Sequence, residues 1–483
     1  MTCKNNQHFI QLNKQREMKG QSPISRREFF KLAATSAGAV GALTMPWLFG
    51  CGKATCVGTC DSYYKRTLVD SRANVEVDPS IELDDYSGPF IPNLRHSYFS
   101  RKQLAWMLIM AHTYHYQIQK SYRAYIESAY GYDGVLKTEK SIWGDTIAKS
   151  MHTFYSQTLN IAGTDIEAYM KQWQVDLNSL PGDNYEVIFE MPDKYHGIVT
   201  CNRCPLVAEY EAAGKADKLA DICKNRCVYS IEKGARLYND DIRLKVLAMP
   251  PRQSANNICC KFALYYNGQS PYDGEVDLTI DPTKEDIRGE RVVDSSIELQ
   301  DYSGPFRPNL RFTDFSRKQL ARLFLTQHQY DLGMMQAYET FCLTKTFDIK
   351  KRSEISTSVW SNQLYIDARN IMAKYMNTGG TGIDGFLKAI QVDITSQPPN
   401  FDQTFEMPSA NLGHMTYNKC AGVTQMESLG LDNLYIKDVC ALDPPAIGKS
   451  TSLYSSNMKL NILKMPPRTY NDEICCKWEF YYE

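Results

Sequence analysis

The chain has 483 residues, of which 43 % are hydrophobic and 23 % are charged. These values are typical of a globular protein and exclude a disordered or collagen-like chain, and the length predicts two or three domains. The formal net charge is −1, and seven of the 54 Lys and Arg lie in the first 50 residues with only two of the 55 Asp and Glu. The remainder is therefore mildly acidic, and no nucleic-acid partner is expected.

The N-terminal segment predicts export. Arg26 and Arg27 lie in Ser-Arg-Arg-Glu-Phe-Phe-Lys, directly before an apolar stretch from Leu32 to Leu43. This is the pattern of a twin-arginine signal, which is read by a machinery that exports folded proteins. We therefore expect residues 1–50 to be a signal peptide; the alternative is an uncleaved anchor helix or a buried apolar helix.

The end of this segment predicts a lipid anchor. Leu48-Phe49-Gly50-Cys51 resembles the lipobox of bacterial lipoproteins, in which the cysteine is lipidated. Phe49 stands where a small residue is usual. We expect Cys51 to attach the protein to the membrane, residues 51–77 to be a tether, and the protein to lie in the periplasm or cell envelope.

An internal duplication organises the rest of the chain. Ile81–Phe90 returns as Ile297–Phe306, an offset of 216 residues. Two copies of one unit exclude a solenoid of many short repeats. We predict repeat domain 1 at 78–266, a linker at 267–293 and repeat domain 2 at 294–483. Three more segments return at the same offset: Phe99–Ala105 as Phe315–Ala321, Phe189–Pro192 as Phe405–Pro408, and Met249–Arg252 as Met465–Arg468.

Each copy is predicted to be α+β, with a helical half and a half made of a small antiparallel sheet and a helix. Ser100 and Ser316, each followed three residues later by Gln, are the pattern of a capping box that begins a long helix. Alternating apolar residues later predict strands, one helix over 206–231, and a closing hairpin.

Four cysteines recur in both copies. Cys204 precedes Pro205 and is therefore expected at a helix N-terminus, where unpaired N–H groups stabilise a thiolate. Cys223 lies about 28 Å further along an unbroken helix, so the two meet only if the helix breaks near Gly214. Of the adjacent pair Cys259 and Cys260, only one faces the site, because strand residues alternate, and we expect Cys260. The corresponding residues of the second copy are Cys420, Cys440, Cys475 and Cys476.

A family resemblance rests on these cysteines. Cys204-Pro-Leu, a glycine inside the helix, Cys223 and the closing Cys260-Lys-Phe262 resemble the L-2-amino-thiazoline-4-carboxylic acid hydrolase family over about the last 80 residues of each copy. That family opens a thiazoline ring by hydrolysis. In the second copy the match is Cys420, Gly430, Cys440-Ala-Leu-Asp443 and Cys476-Lys-Trp478.

The resemblance implies a catalytic site made of a thiolate and a nearby carboxylate that cleaves a C–N bond of a small heterocyclic or amide substrate. It places Cys420 and Asp443 in the active copy. Arg226 stands where the first copy lacks the aspartate, which puts activity there in doubt. The implied catalytic residues are Cys420, Asp443, Cys440 and Cys476, with Cys204, Cys223 and Cys260 as their partners in the first copy.

Other uses of the cysteines stay open. In an oxidising compartment they are candidates for disulfides, and the Cys201-Asn-Arg-Cys204 spacing also occurs in zinc and redox sites. A metal at the recurring cysteines is the only cofactor the sequence offers. Buried inert thiols are the plainest alternative.

Two further residue types recur near these cysteines. His112 and His328 occupy the same place in the long helix and are either packing residues or a base facing the site. Arg252 and Arg468 follow a Pro-Pro pair and are candidates to bind a substrate carboxylate with both arms of the guanidinium. The sequence thus leaves three function classes: a hydrolase, a small-ligand binding protein, and a cysteine-based metal or redox protein.

Overall fold

The computed structural model describes residues 70–272, 276–343, 349–428, 433–469 and 473–482. The predicted signal with Arg26 and Arg27, the anchor Cys51 and the glycine Gly430 lie outside these ranges. Within them no helix is long and apolar enough to cross a membrane.

The predicted α+β class is confirmed, and each copy carries its own four-stranded antiparallel sheet. The helices and strands of the first copy are α1 Arg101–Glu139, α2 Ala148–Leu159, α3 Ile166–Val175, β1 Glu186–Asp193, β2 His196–Arg203, α4 Pro205–Ala212, α5 Leu219–Cys223, α6 Tyr229–Tyr238, β3 Ile242–Ala248 and β4 Cys260–Tyr266. Those of the second copy are α7 Arg317–Leu343, α8 Ile349–Val359, α9 Asn362–Met376, α10 Gly382–Val392, β5 Asp402–Ser409, β6 Leu412–Lys419, α11 Ala421–Ser428, α12 Asn433–Cys440, α13 Asp443–Tyr454, β7 Met458–Lys464 and β8 Cys476–Tyr482.

The two sheets have the same strand order, β1-β2-β4-β3 and β5-β6-β8-β7. Helix α3 packs closely on β2 because Gly197 has no side chain: a Cβ there would lie 3.0 Å from Ile166 and from Met170. Gly413 likewise lets α10 pack closely on β6, because a Cβ there would collide with Ile383 and Leu387. The apolar core of each copy therefore lies between its sheet and its helical half.

The copies pack through their long helices, α1 against α7. Residues 216 apart meet there: the rings of Tyr122 and Tyr338 stack with centroids 4.9 Å apart, and the His115 imidazole bonds the Asp331 carboxylate. Contact between equivalent positions is the mark of a two-fold relation. The two copies thus form an approximate two-fold pair within one chain.

Short segments are exchanged between the copies. Arg72, which precedes the first copy, is 1 % exposed and forms an ion pair with its neighbour Asp70 at 2.7 Å. Its guanidinium also donates to the side chain of Gln403, in the second copy, at 2.6 Å. Its equivalent Arg288 precedes the second copy and donates to the carbonyl of Gln174 in the first, at 2.6 Å. We call 70–72 and 286–288 the straps. Each strap belongs to one copy in sequence and packs on the other.

The helix caps show the same exchange. Ser100 caps α1 by accepting from the Gln103 N–H, as the capping box predicts. The Gln103 side chain, however, does not return to the cap: its amide donates to the Tyr375 carbonyl at 2.7 Å. Gln319 likewise donates to the Thr158 carbonyl. In each predicted capping box, the glutamine side chain therefore bonds the other copy instead of the backbone of the cap residue.

The helix predicted over 206–231 is broken. The break lies at Gly214, where it is needed if Cys204 and Cys223 are to meet. Helix α4 ends at Ala212, Gly214 adopts a left-handed φ of +67°, and α5 runs only to Cys223 before a π-helical turn over Lys224–Val228. Glycine accepts this conformation without steric cost. The chain folds back, so Cys223 approaches Cys204.

Candidate functional site

Six cysteines of the first copy gather where β2, β4 and the broken helix meet. All six are free thiols. We call them the thiol cluster. Its members are Cys201, Cys204, Cys223, Cys227, Cys259 and Cys260.

Strand β2 presents two of these thiols through a β-bulge. Val187 pairs with Cys201 while the preceding Glu186 pairs with Arg203, so Asn202 is an extra residue in β2. The Asn202 amide donates to the Glu186 carboxylate at 3.1 Å. Bulges turn the following side chains relative to the sheet and are frequent beside active sites. Cys204 follows as the N-cap of α4 and lies close to Cys201.

Cys204 is the most acidic thiol that this geometry produces. Its pKa is lowered to about 7, first by the neighbouring Cys201 thiol, then by the N–H groups of Val207 and Leu206 and by the Arg226 charge. Together these outweigh the burial that opposes ionisation. Since thiolates are the nucleophilic form of cysteine, Cys204 is half ionised near neutral pH.

A second pair repeats the pattern on the π-helical turn. Cys223 and Cys227 are neighbours, and their interaction raises the pKa of Cys223 and lowers that of Cys227. The positive charge of Arg226 lowers the pKa of Cys227 as well. The first copy therefore holds two thiol pairs, and in each pair one member has a lowered pKa.

Arg226 is held in place by buried partners. Its guanidinium lies 4.5 Å from the centre of the Trp143 ring, forms an ion pair with Glu139 at 3.2 Å, and donates to Gln119 at 2.6 Å. Glu139 is fully buried and also accepts from the Tyr338 hydroxyl of the second copy, at 2.6 Å. The fixed positive charge beside the thiol cluster thus depends on both copies.

The recurring cysteines of the second copy lie in a different environment. Burial raises the pKa of Cys420 to about 12 and also raises the pKa values of Cys440, Cys475 and Cys476. Cys440 and Cys475 belong to a small apolar cluster with Val423, Met426, Ile436 and Val439. These thiols stay protonated at neutral pH.

Asp443 does lie near the thiols with which the sequence groups it. Burial raises the pKa of its carboxyl to about 6, opposed by the charge of Arg352. The same carboxylate raises the pKa values of Cys420 and Cys440 by like-charge repulsion. Arg352 in turn is paired with Glu339 at 3.2 Å.

Two sequence differences explain why equivalent thiols differ. Tyr417 replaces Cys201 beside Cys420, so the neighbouring thiol is lost, and Asp443 replaces Arg226, so the nearby charge changes sign. Both differences favour a thiolate in the first copy and a neutral thiol in the second. The resemblance had pointed to Cys420 as the active thiol, whereas the more acidic thiol is Cys204.

The two recurring histidines are buried and neutral. His112 donates from Nδ1 to the Leu177 carbonyl at 2.7 Å and stacks on Tyr185, with ring centroids 5.2 Å apart. Burial lowers the pKa of His112 to about 4 and that of His328 to about 3. His328 bonds the Ile394 carbonyl in the same way. Tyr185, which stacks on His112, is also close to the thiol cluster: after burial, Cys201 and Cys204 make the largest contributions to the raised pKa of its hydroxyl.

The two recurring arginines are already occupied. Arg252 holds both carboxylate oxygens of Glu211, at 3.0 and 2.5 Å, and Arg468 holds those of Glu427. These pairs connect the Pro-Pro segment to α4 and α11. The bidentate geometry expected for a substrate carboxylate is thus used by a carboxylate of the chain itself.

Metal ligation was one of the alternatives for the cysteines. Over the ranges that the structure describes, no group of three or more His, Cys, Asp or Glu side chains has the geometry to hold a metal ion. Cys204 and Cys227, whose pKa values are lowered, each have a second thiol beside them, so the arrangement supports thiol–disulfide chemistry.

Sequence reasoning missed the partners that tune the thiols: Glu139, Trp143 and Tyr185. All three come from the helical half or the start of the sheet, far from the cysteines in sequence, and no spacing rule connects them. No family model, no curated protein and no solved structure matches this chain. The resemblance to the thiazoline-carboxylate hydrolases therefore stays a prediction.

Proposed function

We propose that this protein carries out thiol–disulfide exchange in the cell envelope, with Cys204 as the nucleophile and Cys201 as the resolving thiol. The observation that supports it is the position of Cys204 at the N-terminus of α4 beside the Cys201 thiol, which lowers the pKa of Cys204. A thiolate with a second thiol in reach is what exchange requires. The twin-arginine pattern agrees with this function, because a protein exported in the folded state reaches an oxidising compartment with its thiol pairs already assembled.

The reaction proceeds in two displacements. The Cys204 thiolate attacks one sulfur of an external disulfide, and the other sulfur leaves as a thiolate that takes up a proton. The Cys201 thiol then loses its proton and attacks the Cys204 sulfur, releasing the second half of the substrate as a thiol. Two electrons and two protons pass from the cysteines to the external disulfide.

We expect Cys204 to react with dipyridyl disulfide at least about a hundredfold faster than Cys420 at pH 7. This estimate combines a pKa difference of about five units with the weaker nucleophilicity of the more acidic thiol. The rate should rise with pH, reach half its maximum near pH 7 and level off above it, since only the thiolate reacts. Stopped-flow absorbance of the released thiopyridone measures the rate.

Cys204→Ser should remove the fast phase, and Cys420→Ser should leave it unchanged. A fast phase that survives in Cys204→Ser, or one that is still rising above pH 9, contradicts the proposal. Circular dichroism of both variants tests that the fold is retained.

A second function, hydrolysis of a C–N bond in the second copy, is favoured by Asp443. Its carboxyl has a pKa near 6 and lies beside Cys420 and Cys440. A carboxyl poised near neutral pH can take a proton from a thiol or from water and return it to a leaving nitrogen. With Cys420 protonated at neutral pH, such a reaction depends wholly on this carboxyl.

We expect Asp443→Asn to reduce hydrolysis of an aminothiazoline carboxylate at least about a hundredfold, the range usual for loss of a general base. Asp438→Asn is the matched control, because Asp438 is exposed on the preceding helix. Product formation followed by the loss of thiazoline absorbance is the measurement. Equal rates for the two variants, or no hydrolysis by the native chain, exclude this second function.

A further inference from the structure

We propose that the stable oxidised form of the thiol cluster is a cross-strand disulfide between Cys201 and Cys260, which returns Cys204 to the thiolate state. The inference rests on the proposed exchange at Cys204 and adds where the oxidising equivalents are stored. It assigns Cys260 the part of a second resolving thiol.

The register of the sheet places these two cysteines opposite each other. Cys201 on β2 pairs directly with Cys260 on β4 in an antiparallel ladder. Opposing residues in such a ladder project from the same face and have Cα atoms about 4.5 to 5.5 Å apart. Disulfides bridge Cα distances of about 4.4 to 6.8 Å. The bond can therefore form without displacing either strand, and the two thiols already interact.

The Cys201–Cys204 bond is the more easily displaced of the two. It spans the irregular backbone of the bulge, where Cys201 Sγ lies 3.1 Å from the Arg203 carbonyl oxygen. Its Cys204 sulfur is also the better leaving group, because the more acidic thiol leaves faster. We infer that Cys201–Cys204 is a transient intermediate.

Accessibility and acidity together place the first step at Cys204. Cys201 is only 5 % exposed, whereas Cys204 and Cys260 are both half-buried. Of these two accessible thiols, Cys204 has the lowered pKa and Cys260 a raised one, so the thiolate that attacks an external disulfide is that of Cys204. Cys201 is then oxidised through Cys204.

The third displacement completes the transfer. The Cys260 thiol loses its proton and attacks the Cys201 sulfur, and Cys204 leaves as a thiolate. Cys204 is the favoured leaving group, since the more acidic thiol leaves faster. Overall Cys201 and Cys260 lose two protons and two electrons, and the external disulfide, a small-molecule or protein disulfide, becomes two thiols.

Oxidation with glutathione disulfide, followed by alkylation and trypsin digestion, tests the assignment on the native chain. Cleavage after Arg203 separates Cys201, in peptide 195–203, from Cys204, in peptide 204–215; Cys260 lies in peptide 253–261. We expect peptide 195–203 to be joined to 253–261 and the Cys204 peptide to be alkylated. Fragmentation of the joined peptides distinguishes Cys260 from its neighbour Cys259.

The variants separate the two proposals. In Cys260→Ser, the Cys204 peptide should instead stay joined to 195–203 or to glutathione, while Cys476→Ser, at the equivalent place opposite Tyr417, should behave as the native chain. A native chain that accumulates Cys201–Cys204, or a Cys260→Ser chain that still releases free Cys204, overturns the inference and leaves exchange at Cys204 intact. A chain whose cysteines all resist glutathione disulfide fails the proposed function itself.

Discussion

Arg288→Ala should lower the free energy of unfolding by about 3 to 5 kcal/mol, the usual cost of removing one partner from a buried ion pair. The Arg288 guanidinium is 2 % exposed, binds the Asp286 carboxylate at 2.5 Å and lies 4.7 Å from the centre of the Phe189 ring. Its loss leaves Asp286 buried without a counter-charge and leaves the carbonyls of Gln174 and Ser179 without their donor. Urea unfolding followed by tryptophan fluorescence measures the effect.

Arg236→Ala is the control for charge removal. Arg236 pairs with Glu232 one helical turn away, and both side chains are more than 40 % exposed. Exposed pairs of this kind contribute about 0.5 kcal/mol or less. Equal losses in the two variants contradict a structural role for the strap. Arg72→Ala, in the other strap, should match Arg288→Ala in size, because Arg72 is equally buried against an aspartate.

Neither copy should fold as a monomer when it is produced alone. Each copy lacks the strap that packs on it, since Arg288 is encoded with the second copy and fills the first. Each also loses the long helix of the other copy that packs against its own, because α1 and α7 contact one another. We expect the separated copies to be insoluble or to pair with themselves.

A protease site inserted between residues 272 and 276 tests this expectation on the complete chain. After cleavage, the two fragments should remain together in size-exclusion chromatography and separate only in denaturant. The second fragment keeps its strap and carries it into the first. Fragments that part under native conditions, each with native circular dichroism, contradict the exchange.

The sequence was informative where the signal is local or repeated. The offset that relates Ile81–Phe90 to Ile297–Phe306 predicted two α+β copies, and the fold confirms that class. The same offset relates Asp70 to Asp286 and Arg72 to Arg288. That relation is present in the sequence, within the stretch whose Gly, Pro and charged residues predict a linker at 267–293.

The remaining features depend on contacts between distant residues. Gln103 has the pattern of a cap residue, yet the Tyr375 carbonyl competes for its amide because the other copy lies within reach. The low pKa of Cys204 depends on Cys201, whose bulged strand no spacing rule predicts. Cys201 does not recur, because Tyr417 stands in its place in the second copy, and that replacement is one of the differences between the two thiol environments.

The pair between His115 and Asp331 has a consequence for how this chain could have arisen. The two residues are equivalent positions of the two copies and face each other across the approximate two-fold. In a dimer of identical subunits one position must face itself, so imidazole would meet imidazole or carboxylate would meet carboxylate. Fusion into one polypeptide removes that restriction, and each half is then free to acquire the residue that complements the other. The same freedom allows the two halves to hold equivalent thiols of different acidity, as Cys204 and Cys420 do.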